Sequence, residues 1–458
     1  MNAFYADPMA SFDFFTVSDD ERQRAAAHAR FAAQQAARIP DIPASTPLRP
    51  VGQVAVIGAG TMGGGIAMAL AQIGIPVTLI DASEEGLARG LSRVRDNYAG
   101  SVSRGKLTQA DMDQRLALIT GSLRMQDVAG ADLVIEAVFE DMGLKQDIFR
   151  QLDALARPGA ILATNTSGLD VDEIAAVTQR PQDVVGAHFF SPAHVMKLLE
   201  VVRAAQTAPD VIATLMDLGR RMGKIAVLAR IYPGFIGNAL FRNYTREAHF
   251  LVEDGALPHE VDAALKKFGY AMGIFAVHDM AGNDVGYQTR KAQMATRPTD
   301  RRWNDLILKL CDQGRLGQKS GKGWYRYEKG DRTPHRDSEL ETFIAEESAR
   351  MGITRQPMDE VEILKRCLYG MVNEGARLLE QGIAQRPSDI DITYLTGYGF
   401  PAHQGGPMAL ADRIGLEAVL ADIRRLHARY GYWWQPAPLL ERLVREGRRF
   451  ADLQADAA

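Results

Sequence analysis

The sequence predicts an α/β protein, in which a doubly wound and mainly parallel sheet is followed by an all-α region containing two copies of one helical unit. Three observations predict this class. Between residues 51 and 230, short apolar runs alternate with longer helical patterns, as the crossover units of a parallel sheet require. Beyond residue 231 the β-branched runs stop and helical periodicity takes over. The 458 residues also exceed what one hydrophobic core supports.

Residues 1–50 are predicted to form an N-terminal helix and a proline-rich linker. Ser18 and Glu21 have the spacing of a capping box, and an alanine-rich helical run follows them. Four prolines between residues 40 and 50 then favour a stiff, extended chain. Because the helical run contains a single phenylalanine, we expect it to have little to bury alone.

Residues 51–230 are predicted to form the doubly wound domain. Most of its strand-like runs are separated by helical patterns, so most neighbouring strands should be parallel. The runs are QVAVIG, PVTLID, LALITG, DLVIEAV, AILATNT, VVGAHFF and KLLEVVR.

The helical remainder is predicted to comprise a first domain at residues 231–330 and a second at 345–458. Spacing indicates duplication: Glu247 recurs 127 residues later as Glu374, and the Gly-Tyr pair at 269 recurs at 397. The joining segment RLGQKSGKGWYRY should be turn and loop. We interpret it as a solvated connection in preference to a phosphate contact.

Composition excludes several classes of function. A formal charge of -4 and a pI near 6.2 give no general attraction to nucleic acid or to an anionic membrane. Two isolated cysteines, Cys311 and Cys367, support neither a disulfide framework nor a metal site. The sequence has no clear targeting or membrane-spanning segment, so the default expectation is a cytoplasmic protein.

Glycines follow the first strand in the pattern Gly58-Ala-Gly60-Thr-Met-Gly63. The first glycine allows a tight turn, the second lets backbone amides approach a pyrophosphate, and the third lets the next helix lie against the strand. We therefore predict that Gly58, Gly60, Thr61, Met62 and Gly63 bind a dinucleotide. The alternative is a glycine-rich turn without a ligand.

The second strand ends at Asp81, which lies 23 residues after Gly58. A carboxylate at this position accepts hydrogen bonds from the ribose hydroxyls of NAD. NADP would need a cation for its extra phosphate, and the adjacent Ala82 and Ser83 provide none. The predicted cofactor is therefore NAD.

His188 lies near the end of the strand VVGAHFF, at the sheet edge where open α/β sheets bind ligands. Glu200 lies in the next strand, so the two side chains could meet. A carboxylate would fix the tautomer of the ring and suit it to act as a general base in alcohol oxidation. The alternative is a histidine that is only part of the core.

Polar residues also lie where apolar ones would pack better, at Asn165 to Ser167 after the strand AILAT and at Asn238 in a helical run. The first group could simply end a strand and begin a helix, and Asn238 could bond a backbone carbonyl. The sequence alone does not distinguish these structural roles from a role in a functional site.

Longer motifs resemble the 3-hydroxyacyl-CoA dehydrogenase family: IGAGTMGGGIA, NTSGL, GAHFFSPAHVMKLLEVV and PGFIGNAL. The last two are specific signatures, and the likeness extends over roughly residues 50–450. Within that family, the sequence resembles the dehydrogenase half of peroxisomal-type and bacterial bifunctional β-oxidation enzymes. The resemblance implies a Rossmann-like NAD-binding domain and reversible oxidation of (S)-3-hydroxyacyl-CoA to 3-ketoacyl-CoA.

The resemblance also implies roles for individual residues. His188 matches the catalytic base and Glu200 its carboxylate partner. Ser167 and Asn238 match groups that hydrogen-bond the substrate oxygen. The remaining matches, implied to contact NAD, are Asp81, Glu140, Lys145 and Asn165.

Two departures and three further expectations accompany the resemblance. Ser191 replaces the Asn of short relatives, and Ala239 stands where Arg is usual. We expect no hydratase activity, since the crotonase-like domain is missing, which leaves a separate enoyl-CoA hydratase or thiolase as a candidate partner. The duplicated unit should cover the face through which short relatives dimerise, so we expect a monomer. The competing readings are a related dehydrogenase that uses a helical lysine, and a non-catalytic scaffold.

Overall fold

The computed structural model describes residues 12–456, which belong to two compact units that alternate along the chain. The α/β unit contains residues 29–239 and 381–398 with the C-terminal residues from 454, and the helical unit contains the residues up to 28, 240–380 and 399–453. The predicted domains, in contrast, are each one continuous stretch of chain, and their boundaries stay a prediction. They are residues 1–50, 51–230, 231–330 and 345–458. Their residues 1–11 and 457–458 lie outside the described residues.

A doubly wound sheet forms the centre of the α/β unit, as predicted. Its strand order is β3-β2-β1-β4-β5-β6-β7-β8, and every pair is parallel except β6 with β7. The strands are β1 (Val54–Ile57), β2 (Val77–Ile80), β3 (Ile119–Ser122), β4 (Leu133–Glu136), β5 (Ile161–Thr164), β6 (Val184–Phe189), β7 (Leu198–Arg203) and β8 (Ile225–Arg230).

Seven of these strands coincide with the predicted runs, and β8 was not predicted. Its sequence, IAVLAR, is a run of five apolar residues followed by an arginine, and a run that short has no periodicity to distinguish a strand from a helix end. In the structure β8 pairs with β7, and its other edge bonds to the segment 381–398: Ala229 bridges Ala384, and Arg230 N–H donates to Ile383 O at 3.0 Å. The carboxyl end of β8 is therefore paired on its outer edge.

Helices surround the sheet and make up the helical unit. The α-helices of residues 12–456 are α1 (Asp19–Ala36), α2 (Thr61–Ala71), α3 (Glu84–Ser103), α4 (Gln109–Ala117), α5 (Met142–Leu155), α6 (Val171–Ala175), α7 (Pro209–Arg221), α8 (Gly237–Asp254), α9 (Pro258–Phe268), α10 (Ile274–Ala281), α11 (Tyr287–Gln293), α12 (Leu306–Asp312), α13 (Ser338–Arg350), α14 (Glu360–Glu380), α15 (Pro387–Gly397), α16 (Pro407–Ile414), α17 (Leu416–Tyr430), α18 (Pro438–Glu446) and α19 (Phe450–Asp456). None of the helices described is long and apolar enough to cross a membrane.

The N-terminal helix α1 begins at the predicted capping box. Ser18 N–H donates to Glu21 Oε2 at 2.8 Å, and Glu21 N–H donates to Ser18 Oγ at 3.3 Å. The side chains that this helix buries are all alanines, and Ala32 and Ala36 are at most 1% exposed. The helix thus buries small side chains by close approach and needs no large apolar face.

The segment from Arg315 to Tyr327 is turn and loop, but the prediction of a solvated connection was wrong. Trp324 is 1% exposed, and the buried carboxylate of Asp279 accepts the backbone N–H groups of Trp324 and Tyr325 at 2.8 and 2.9 Å. The hydroxyl of Tyr327 donates to the same carboxylate at 3.0 Å. The glycine-rich and basic composition gave no sign that buried carboxylates organise this loop; besides Asp279, Asp262 accepts the Tyr325 hydroxyl and Asp337 pairs with Arg315.

A buried ion cluster ties α14 to α8 in the helical unit. Arg366 is 0% exposed; it donates to Glu247 Oε2 at 3.2 Å and to Asp254 Oδ2 at 2.7 Å, and it lies over the ring of Tyr430. Two buried carboxylates therefore share one buried guanidinium. Asp254 also pairs with Arg302 and Glu247 with Arg246, so losing Arg366 removes part of the counter-charge of each carboxylate.

We expect Arg366→Met to lower the free energy of unfolding of the helical unit by about 3–5 kcal/mol, because each of the two carboxylates loses a fully buried charge partner. All four tryptophans, Trp303, Trp324, Trp433 and Trp434, belong to this unit, so tryptophan fluorescence during urea unfolding reports on it.

Arg424→Met is the matched control for this measurement. Arg424 pairs with Glu441 while 59% of its side chain is exposed, so the control should cost at most about 1 kcal/mol. Equal losses in the two variants would contradict the assignment of stability to the buried cluster.

Candidate active site

The antiparallel pairing of β6 with β7 places His188 directly opposite Glu200. His188 Nδ1 lies 2.7 Å from Glu200 Oε2. The other carboxylate oxygen, Oε1, accepts the backbone N–H groups of Ile236 and Gly237 at 3.1 and 2.9 Å. Both oxygens of this fully buried carboxylate therefore act as acceptors.

This arrangement decides the tautomer of His188. A carboxylate can only accept, so the hydrogen between the two side chains belongs to Nδ1. In the neutral ring, Nε2 then carries the free lone pair. The ring packs against Phe190 and Phe235, with centroids 4.3 and 5.8 Å away, which restricts its rotation.

The turn before α8 directs two successive N–H groups at Glu200. Phe235 has a φ of 52°, a left-handed conformation that is unfavourable for a residue with a bulky side chain. The conformation is retained by complete burial of the Phe235 side chain and by the two bonds from Ile236 and Gly237. The backbone strain at Phe235 is thus offset by the hydrogen bonds that the next two residues make to Glu200, the partner of His188.

Glu140 connects several of the predicted site residues. Its Oε1 accepts the hydroxyl of Thr166 at 2.7 Å, and the backbone N–H and hydroxyl of Ser167 at 2.6 and 2.9 Å. Its Oε2 lies 3.5 Å from Lys145 Nζ. The loop after β5 is therefore held on the loop after β4.

Lys145 is 0% exposed, and its ammonium also bonds both oxygens of Glu136 at 2.7 and 3.0 Å. Glu136 additionally accepts the hydroxyl of Thr164 at 2.7 Å. The contacts of Lys145 are thus to carboxylates, and its predicted contact with NAD stays a prediction. Glu136 was not predicted to belong to the site, although an acid inside the apolar run DLVIEAV was a usable signal.

The two asparagines left open by the sequence both bond the backbone. Asn165 Oδ1 accepts Phe189 N–H at 2.8 Å, and Asn238 Nδ2 lies 3.4 Å from Ser167 O. Asn238 Oδ1 also accepts the hydroxyl of Tyr398 at 2.7 Å. Tyr398 was not predicted to belong to the site.

Lys224 supports the turn that joins β6 to β7. Its ammonium donates to the carbonyls of Ala193 and Met196 at 2.6 and 2.7 Å, and burial lowers its pKa to about 8. On the other side, a Cβ added to Gly65 of α2 would lie 3.1 Å from the Ala193 side chain. The turn that follows His188 is therefore held on both sides.

The glycine loop has the geometry expected for a dinucleotide. Gly58 has a φ of 97°, and a Cβ added to Gly63 would lie 1.8 Å from Gly58 O, so both positions require glycine. A Cβ on Gly60 would meet no described atom within 4 Å, which leaves space for a phosphate at the start of α2. Asp81 Oδ2 accepts Ala59 N–H at 2.9 Å and so lies against this loop.

These features meet at the carboxyl ends of β1, β4, β5 and β6, where open sheets of this topology bind ligands. Among the described residues, no cluster of acids, histidines and cysteines could hold a metal ion. A dinucleotide loop and a carboxylate-paired histidine at the same edge of one sheet are the two elements that a nicotinamide-dependent dehydrogenase requires.

The comparisons identify the family. The model of the 3-hydroxyacyl-CoA dehydrogenase NAD-binding domain matches residues 53–231, and the model of the C-terminal domain of that family matches twice, at 234–327 and 363–451. The chain belongs to the 3-hydroxyacyl-CoA dehydrogenase family, and its cofactor is NAD. The double match also supports the predicted duplication.

The chain is 44% identical to the peroxisomal bifunctional enzyme of Danio rerio over 87% of its own length and 57% of that protein. It is 43% identical to the Homo sapiens enzyme of the same name over 83% of its length and 54% of that protein. The chain thus spans about half the length of these curated relatives.

Solved structures of relatives have the same fold. The 3-hydroxybutyryl-CoA dehydrogenase of Escherichia coli matches with a TM-score of 0.75 and 29% identity, over 87% of this chain and 99% of that one. The dehydrogenase part of multifunctional enzyme 1 from C. elegans matches with a TM-score of 0.65 and 29% identity, over 93% and 97% of the two chains.

We expect Asp81→Ala to weaken NADH binding by about 10- to 100-fold, because a charged acceptor for two ribose hydroxyls is lost. Titration calorimetry measures the dissociation constant. Glu84→Ala removes the same charge from an exposed position three residues away and should leave it unchanged. Equal affinities of Asp81→Ala and the unmodified protein would contradict the predicted ribose contact.

Proposed function

We propose that this chain catalyses the reversible, NAD-dependent oxidation of (S)-3-hydroxyacyl-CoA to 3-ketoacyl-CoA, as in fatty acid β-oxidation. The observation that carries the proposal is the His188–Glu200 pair, in which Nδ1 is held at 2.7 Å from a carboxylate and Nε2 remains the acceptor. An alcohol oxidation needs such a base beside the nicotinamide.

His188 Nε2 is assigned the proton of the substrate hydroxyl. The loop of Gly58, Gly60 and Gly63 with Asp81 would hold NAD+, which would supply the acceptor for the hydride from C3 of the substrate. Glu200 then faces an imidazolium, and its negative charge stabilises that state without itself taking the proton. Because Glu200 is fully buried, water does not screen this interaction.

Ser167 and Asn238 are assigned to the substrate oxygen. Asn238 Nδ2 has a second hydrogen beyond its contact with Ser167 O, and the Ser167 hydroxyl must turn from Glu140 Oε1 to donate to the substrate. Such donors stabilise charge that develops on oxygen. Glu140 and Lys145 are assigned the task of holding the Ser167 loop, through the contacts at 2.6 to 3.5 Å described above.

The test is NADH consumption by the purified chain with acetoacetyl-CoA, run beside NADPH. We expect turnover that prefers NADH, since Asp81 has no cationic neighbour at positions 82 and 83 to hold an added phosphate. Absence of turnover with both short and long 3-ketoacyl-CoA, despite measurable NADH binding, would refute the proposal and favour a scaffold.

Three further statements belong to this proposal. The chain is a monomer, which a dimer mass in light scattering would refute. It works with a separate enoyl-CoA hydratase or thiolase. The test is whether adding that partner accelerates the coupled reaction.

The chain is also cytoplasmic in this proposal, although the names of its relatives place those proteins in peroxisomes and glyoxysomes. Fluorescence microscopy of the tagged chain distinguishes the compartments.

A further inference from the structure

A segment of the second helical copy, residues 381–398, belongs to the α/β unit and reaches the active site. It pairs with the edge of β8 through Ala384, and it ends with α15 against β7. A Cβ added to Gly397 would lie 2.3 Å from Leu198 Cδ2, so the backbone there approaches the sheet closely. The residue after Gly397 is Tyr398.

The ring of Tyr398 is fixed on three sides. It stacks on Tyr394 with centroids 4.8 Å apart and an interplanar angle of 15°, and it meets the edge of Phe190 at 5.6 Å. A Cβ on Gly237 would lie 2.4 Å from Tyr398 Cε2, so only glycine leaves room for the ring. Phe190 in turn packs on His188.

The Tyr398 hydroxyl and the Ser167 carbonyl together fix which way the Asn238 amide faces. The phenol donates its hydrogen to Oδ1 at 2.7 Å, which places Nδ2 on the opposite side. There Nδ2 lies 3.4 Å from the carbonyl of Ser167. A carbonyl only accepts, so a flipped amide would set Oδ1 against Ser167 O, and in the unflipped amide Tyr398 supplies the hydrogen that Oδ1 accepts.

We propose that Tyr398 is a positioning residue for catalysis: it holds the Asn238 amide so that Nδ2, and not Oδ1, faces the substrate oxygen. The proposal rests on the proposed function of Asn238. A flipped amide would present a carbonyl to an oxygen that gains negative charge, which opposes the reaction.

The two helical copies differ at this point. Tyr270 is the counterpart of Tyr398 in the repeated Gly-Tyr pair, and it is 9% exposed within the helical unit, where it stacks on Tyr244. The first copy thus uses its tyrosine in packing, whereas the second copy brings its tyrosine to the site. Duplication supplied a residue that the first copy does not provide.

The kinetic test is a double-mutant cycle. Tyr398→Phe keeps the ring and removes the donor, and we expect kcat to fall about tenfold, less than the roughly 10²-fold loss expected for Asn238→Ala, which removes a direct donor. In the Asn238→Ala background, Tyr398→Phe should cause no further loss. Persistence of the full loss in that background would overturn the proposal.

Tyr394→Phe is the matched control. The Tyr394 hydroxyl donates to Gly237 O at 3.2 Å. The variant therefore removes a phenol hydroxyl, as Tyr398→Phe does, but from the ring stacked on Tyr398. We expect its kcat to stay within about twofold, and its small effect to be the same with and without Asn238.

A second measurement does not depend on turnover. Selective 15N-asparagine labelling gives side-chain amide signals, and the Asn238 signal is the one missing in Asn238→Ala. Tyr398→Phe should shift or split it, whereas Tyr394→Phe should not; an unchanged signal in Tyr398→Phe would overturn the proposal. If the unmodified chain turns over no 3-ketoacyl-CoA, the proposed function fails, and the amide signal still decides whether Tyr398 orients Asn238.

Discussion

Glu200→Gln should lower kcat by about 10³- to 10⁴-fold while leaving the fold intact. The glutamine oxygen can still accept the N–H groups of Ile236 and Gly237, which now bond Glu200 Oε1. Its amide nitrogen then faces His188 Nδ1, which must become an acceptor, so the hydrogen moves to Nε2 and the base is lost. Single-turnover reduction of NAD+ by 3-hydroxybutyryl-CoA measures the effect on chemistry.

The control for this variant is Glu173→Gln, the same substitution at an exposed carboxylate of α6. Both variants should bind NADH as the unmodified chain does, and both should unfold within about 1 kcal/mol of it, because the backbone bonds to residue 200 are retained. A Glu200→Gln variant with more than a tenth of normal turnover would show that the tautomer of His188 is not set by Glu200.

His188→Gln should lower kcat by about 10²- to 10⁴-fold, the range that a general base contributes. Because hydroxide can replace the missing base, the remaining oxidation rate should keep rising with pH where that of the unmodified chain levels off. Rates of NAD+ reduction across pH, with NADH affinity measured separately, test both statements.

His427→Gln provides the comparison at an exposed histidine of α17 and should change neither the rate nor its pH profile. If His188→Gln loses rate only in proportion to NADH affinity, the ring serves cofactor binding, and its assignment as a base is wrong.

The parts of the site that sequence alone indicated are those built from local pattern. The glycines and Asp81 lie at the ends of neighbouring strands in an order that parallel crossovers enforce. His188 and Glu200 are twelve residues apart on consecutive strands, so a short turn brings them together. Neither inference needed contacts between distant parts of the chain.

The parts that sequence missed depend on such contacts. Tyr398 meets Asn238 across 160 residues, and no periodicity connects them. The prediction that the loop around Trp324 is a solvated connection was wrong because Asp279, 45 residues earlier in the chain, accepts hydrogen bonds from the backbone of that loop. Lys145 was assigned to NAD by resemblance, whereas its full burial beside Glu136 appears only in three dimensions.

The attachment of residues 381–398 to β8 also bears on how the chain is made. Synthesis proceeds from the N-terminus, and domains generally fold as units while they emerge from the ribosome. Here the outer edge of the sheet keeps unpaired backbone groups until about 150 further residues have been added after β8, because Ala384 is the residue that bridges Ala229. The nascent chain therefore carries an open strand edge for several seconds at normal elongation rates, and chaperone demand should be greatest during that interval.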